Sequence, residues 1–171
     1  MIYVTVGTAV GGGEFDRLIK KMDDIALSLT EEVLIQTGAS RLIPKNAKYL
    51  NYASYEQSLE YFRTARLVVG HCGSGTIINA LSFGCNLILV PRKFEFSEHS
   101  DDHQLEIAKY LEKKSLARII YDVKDLDKAI DDSTAGRNTG AAQFSSASKN
   151  DLICNMRRYL AGESAGTICA G

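Results

Sequence analysis

Short strand-like runs recur along this chain, and each gives way to a stretch with helical periodicity or to a turn. Ile2–Val6, Glu32–Thr37, Lys48–Tyr52, Leu67–Val69, Leu87–Val90 and Leu116–Tyr121 read as strands. Within Glu14–Leu29, the residues Phe15, Leu18, Ile19, Met22, Ala26 and Leu29 repeat at helical spacing. Ser54-Tyr55-Glu56-Gln57 has the form of a capping box opening a helix to about Ala65. A further helix ends near Gly84, a natural C-cap, another runs from about Asp101 to Lys114, and a short one starts at Val123. Alternation at this spacing makes βαβ units, and so an α/β fold: a parallel, Rossmann-like sheet with helices on both faces. Leu67–Val69 is continuously apolar, as a central strand buried on both faces would be.

From Ser133 to Ser148 the character changes to Ala, Gly, Ser, Thr and Asn, with one charge (Arg137) and one large apolar residue (Phe144). Such a segment buries too little to order itself, so residues 133–149 are predicted to be a flexible linker. Residues 1–132 then form the compact domain, and residues 150–171 a C-terminal helix and tail. Leu152, Ile153, Met156, Tyr159 and Leu160 return to helical spacing there.

A net charge of −1 with both signs interspersed leaves no basic footprint, which argues against nucleic acid as a partner. MIYVTVGT lacks a charged n-region and reads as a first strand, not a signal peptide. No apolar run approaches the roughly 20 residues that span a bilayer. The four cysteines form no CxxC pair and are read as reduced thiols of a cytoplasmic protein.

The densest chemistry lies in HCGSGTIINALSFG, residues 71–84. In an open α/β sheet, ligands bind beyond the carboxyl ends of the strands, where this turn falls. Glycines admit a ligand to the backbone, and the first N–H groups of the following helix form a ready anion site. Ser74 and Thr76 add hydroxyls to the same mouth. A bare strand-to-helix turn remains an equal alternative from the pattern alone. A Walker loop is excluded, since no lysine follows the glycines. Gly70, Gly73 and Gly75 give the reverse of the dinucleotide fingerprint. A zinc site at His71 and Cys72 lacks partners, and sequence neighbours seldom face each other as base and nucleophile.

A second polar cluster, PRKFEFSEHSDDHQLEIA, spans residues 91–108. His99 and His103 are four apart and raise a metal reading, but no clear third ligand accompanies them. A polar helix start is favoured, with Ser100, Asp101 and Asp102 serving the cap and the dipole, so no metal is expected. The loop leaves a strand expected beside the one bearing the glycine turn.

VTVGT at the start, H-x-G-x-G-T after a late strand and E-H-x-x-D-H-Q opening the next helix together resemble the C-terminal, donor-binding half of the GT-B glycosyltransferases of family 28. The likeness is strongest to single-domain members that form one half of a split enzyme, as in the two-chain UDP-GlcNAc transferase of dolichol-linked glycan assembly and in exopolysaccharide-type bacterial and archaeal relatives. It covers about residues 1–125. The resemblance implies that Gly73, Ser74, Gly75 and Thr76 hold the donor diphosphate, with His71 beside them. It implies that Glu98, His99, Asp102, His103 and Gln104 face the sugar and nucleotide, Gln104 toward the sugar hydroxyls, and that Gly7 and Thr8 line the cleft. Asn79 stands where two-domain relatives carry a ribose-binding glutamate. Relatives of the exopolysaccharide type often follow VTVGT with a histidine, where this chain has Ala9.

The family inverts by direct displacement without a tightly held metal, so no cofactor is implied and the UDP-sugar is the substrate. The implied protein is the donor-binding subunit of a heteromeric UDP-sugar transferase, UDP-GlcNAc being the first expectation and a lipid-diphosphate-linked sugar the acceptor. The acceptor domain and the general base would come from a membrane-anchored partner, holding this chain at the cytoplasmic membrane surface. The C-terminal helix docks either on that partner or on its own domain. The alternatives are a non-catalytic nucleotide-sugar-binding regulatory or scaffold subunit and, less readily, a sugar-nucleotide epimerase.

Overall fold

The computed structural model describes residues 1–7 and 13–134, together with Leu152 and Cys154. Thr8, Ala9, the expected linker beyond Thr134 and most of the expected C-terminal helix lie outside the described residues.

Six parallel strands form one sheet in the order β3-β2-β1-β4-β5-β6. They are β1 (Ile2–Thr5), β2 (Val33–Gln36), β3 (Lys48–Leu50), β4 (Leu67–Gly70), β5 (Asn86–Leu89) and β6 (Arg118–Ile119). The helices are α1 (Asp16–Ala26), α2 (Tyr55–Thr64), α3 (Ser74–Ser82), α4 (His103–Lys113) and α5 (Leu126–Thr134). The α/β reading of the sequence therefore holds.

Alternation along the strands divides the core between two faces. Ile2 and Val4 of β1, with Val69 and Ile88, pack against Leu18, Ile19 and Met22 of α1 and Leu126 and Ile130 of α5. Tyr3, Val68, Leu87 and Leu89 pack on the other face against Phe62, Ile77, Leu81, Ile107 and Leu111. Leu152, 2% exposed, joins this second face, so part of the expected C-terminal helix packs on its own domain.

Several local signals do what their chemistry dictates. Ser54 Oγ accepts the Gln57 N–H at 3.2 Å and Gln57 Oε1 accepts the Ser54 N–H at 2.9 Å, which closes the capping box. Gly84 adopts φ +67°, and the bonds from its N–H to Leu81 and from the Cys85 N–H to Ala80 close α3 as a Schellman motif. Two helices are shorter than the periodicity predicts. The α1 helix ends at Ala26, where the Ser28 hydroxyl takes the Ile25 carbonyl, and α4 begins at His103. By contrast α5 continues to Thr134, two residues into the expected linker, with Ser133 buried and bonded to the Ile130 carbonyl. Cys72 and Cys85 are free and buried, whereas Cys154 is disulfide-bonded, so the expectation of four reduced thiols fails there.

The strand order reverses between β1 and β4: from β1 the chain builds outward through β2 and β3, and from β4 outward through β5 and β6. Connections leaving β1 and β4 at their carboxyl ends therefore diverge, opening a crevice there. Thr5 pairs with Gly70 at the lip of that crevice. Gly7 and His71 follow directly.

Candidate functional site

The glycine turn is assembled around the ring of His71. A Cβ at Gly7 would lie 2.3 Å from His71 Nε2, and one at Gly73 would lie 2.0 Å from its Cε1, so the ring fills a slot that only two glycines leave open. Gly7 also has φ +75°, a conformation other residues adopt at a cost. Thr76 Oγ1 lies 3.2 Å from His71 Nε2, while His71 Nδ1 is buried without a partner. The Thr76 hydroxyl is thus turned inward to the histidine and is not offered at the mouth. Burial, then the charges of Arg92 and His99, hold the His71 imidazole down to about 3, so it is neutral.

The α3 helix leaves this turn without a side-chain cap, because its N-cap is Gly73. Its first intrahelical bond runs from the Ile77 N–H to the Gly73 carbonyl at 3.1 Å, which leaves the preceding N–H groups of Ser74, Gly75 and Thr76 without intrahelical acceptors. Gly75 is exposed and a Cβ there would meet nothing within 4 Å. Asn79 lies one turn further along the same helix face. Cys72 is fully buried and burial pushes its thiol far up, which removes it as a nucleophile.

Gln104 joins the two polar loops. It is buried, and its Oε1 accepts from the N–H of Cys72 and that of Arg92, both at 3.1 Å. Both lone pairs of that oxygen are therefore occupied, which leaves the amide nitrogen as the group that can meet a sugar hydroxyl. Glu98 departs from expectation. It is 3% exposed, its oxygens lie 2.6 and 3.0 Å from Arg17, and it accepts the Lys93 N–H at 3.0 Å. A carboxylate held inward in this way anchors the loop and does not face a donor.

His99, Asp101 and His103 gather at the start of α4. His99 Nδ1 lies 3.3 Å from Asp101 Oδ1, and the His103 ring pairs with the same oxygen. Asp102 accepts the Phe94 N–H at 2.9 Å and is otherwise exposed. His99 lies near enough to His71 to act on it electrostatically, so the second polar loop and the glycine turn share one end of the sheet.

Arg92 escapes a reading of the sequence. It is 2% exposed, and its guanidinium donates to the carbonyls of Gly13 and Glu98 at 2.8 Å and of Val6 at 2.7 Å. It thereby ties the end of β1, the approach to α1 and the loop after β5 into one wall. Phe15 sits between Arg92 and Arg17, 5.2 and 4.9 Å from their guanidinium carbons. Among the described residues the Arg92 guanidinium donates to neutral carbonyls, and it contributes a buried positive charge to this end of the sheet. The signal lay in Pro91-Arg92 at a strand end, where an arginine ordinarily reads as solvated.

The glycosyltransferase family 28 C-terminal domain matches residues 1–156. This chain belongs to that family. The family 28 domain is 31% identical over 130 residues to a UDP-N-acetylglucosamine--N-acetylmuramyl-(pentapeptide) pyrophosphoryl-undecaprenol N-acetylglucosamine transferase of Leptospira interrogans, across 70% of the chain and 35% of the relative. It thus spans about a third of that protein's length. Among solved structures it resembles Acinetobacter baumannii MurG, with TM-score 0.58, 17% identity, and 91% of this chain matched to 49% of that one. It also resembles the solution structure of ALG13, with TM-score 0.59, 16% identity, and 89% matched to 94%. At such identities these likenesses speak to the fold, which is the Rossmann-like half of a GT-B glycosyltransferase.

Proposed function

We propose that this chain is the donor-binding half of an inverting UDP-sugar glycosyltransferase. The observation that carries the reading is the uncapped N-terminus of α3, open at Gly75, at the switch-point crevice beside the buried Arg92. Free N–H groups and a positive helix end favour a diphosphate, and the same features stabilise the charge that develops on UDP as it leaves. Asn79, one turn below Gly75, is proposed to meet the ribose.

UDP-GlcNAc is the proposed donor and a polyprenol-diphosphate-linked sugar the proposed acceptor. The Leptospira relative, whose name specifies both, supports this. A partner chain anchored at the cytoplasmic face of a membrane is proposed to supply the acceptor surface and the base that takes the acceptor proton. The ALG13 structure supports a donor half standing alone, since its chain contains this fold and little else. The site needs no cofactor in this scheme.

Calorimetric titration of UDP, UDP-GlcNAc, UDP-glucose and UDP-galactose into the chain tests the donor. UDP-GlcNAc is expected to bind in competition with UDP. The absence of binding by every UDP compound overturns the proposal. Binding without transfer in the presence of any membrane fraction favours a regulatory subunit instead.

A further inference from the structure

We propose that His99, Asp101 and His103 form a binding site for a divalent first-row transition ion of the zinc type. Their ligand atoms all lie within 4.8 Å of one another. The two imidazoles stand edge to face at 79°, centroids 4.5 Å apart, and both bring Nδ1 to the same Asp101 oxygen. Two imidazole nitrogens and one carboxylate oxygen make a donor set suited to zinc, cobalt or nickel, with coordination positions left for water or another ligand. All three residues reach solvent, so an ion can enter.

Spacing alone hides this site. Asp101 looks like one more acid at a helix start, yet it is Asp102 that occupies the N-cap. Asp101 instead turns its carboxylate between the two rings, supplying the third ligand that His99 and His103 lack in the sequence.

The surroundings set the selectivity. The N-terminus of α4 carries partial positive charge, and Arg92 acts electrostatically on His99. Both oppose a cation held by charge alone. Magnesium and calcium, which prefer all-oxygen ligands, are therefore excluded, whereas an ion forming strong bonds to imidazole is retained. The ligand set does not require the donor reading, although the family resemblance sets two of its members, His99 and His103, facing the sugar and nucleotide.

Cobalt(II) titrated into the chelator-treated full chain, followed by its visible absorption, tests the site. A saturable one-equivalent spectrum is expected, without a thiolate charge-transfer band, displaced by zinc and unaffected by excess magnesium. His99→Ala and His103→Ala should each weaken cobalt at least about tenfold, the scale at which even supporting residues of metal sites act. Asp101→Asn, which keeps both imidazoles, should weaken it too, and should abolish the zinc-dependent rise in thermal midpoint expected of the parent. No saturable spectrum, a thiolate band, or affinity unchanged in these variants overturns the proposal. Loss of UDP binding with the cobalt spectrum intact would sink the donor reading alone.

Discussion

The His71 imidazole packs so closely on Gly7 that a Cβ there would stand 2.3 Å from its Nε2. The contact crosses the switch-point crevice and joins the end of β1 to the end of β4. Gly7→Ala must strain a φ of +75° and push the ring from its slot. Left-handed backbone and overpacking together cost about 2–4 kcal/mol. The denaturant midpoint should fall accordingly, and UDP affinity with it, because the displaced ring disturbs the Gly73 turn. An unchanged midpoint would mean that the ring has another place to go.

Glu98 and Asp102 are both acids of one loop, but their bonding differs. Glu98 is buried against Arg17 and the Lys93 N–H, whereas Asp102 is exposed and accepts one N–H. Glu98→Ala leaves the Arg17 guanidinium without its carboxylate and should cost about 2–4 kcal/mol. Asp102→Ala should cost about 1 kcal/mol or less. Urea unfolding of the two variants separates them, and equal losses would contradict the assignment of Glu98 as the loop's anchor.

His71 imposes a pH dependence with a definite sign. Its native value is held at about 3 against an ordinary 6.5, so the unfolded chain takes up the proton first as pH falls. Stability contributed by the neutral imidazole is complete above about 6.5 and is lost as pH drops toward 3, at about 1.4 kcal/mol per unit. His99, also held low by burial and by His103, acts in the same direction. Urea midpoints measured from pH 7 to 5 should decline, and His71→Gln should flatten most of that slope even though the variant is less stable overall. A slope that persists undiminished would show that His71 takes up its proton in the native chain as readily as in the unfolded one.

Sequence alone exposes what depends on local periodicity. The strands, the Ser54–Gln57 capping box and the Gly84 stop were legible because each is decided by neighbours in the chain. The glycine turn was legible as a place, but not in its orientation: Thr76 faces His71, and nothing in H-x-G-x-G-T says so. The partners of Glu98 and Gln104 were not legible, since Arg17, Lys93, Cys72 and Arg92 are most of them distant in sequence. Arg92 is hidden for the same reason, since two of its three carbonyl partners, Val6 and Gly13, lie in the distant connection between β1 and α1 and the third, Glu98, lies in its own loop.

Gly75 separates folding from binding. It is the second residue of α3, and a Cβ there meets nothing within 4 Å. Replacing glycine in a helix by alanine should therefore stabilise the chain by about 0.5–1 kcal/mol. Aspartate gains less from propensity but adds a negative charge at the helix N-terminus, worth about 0.3–1 kcal/mol. Neither variant should unfold more readily than the parent. A diphosphate resting on the α3 N–H groups, however, meets the new side chain directly. Gly75→Ala should weaken UDP by crowding, and Gly75→Asp should abolish binding by placing a carboxylate where the phosphates sit. The two measurements are a thermal melt without ligand and a UDP titration. Raised or equal midpoints with lost affinity are expected; full UDP affinity in a folded Gly75→Asp variant would move the diphosphate away from α3.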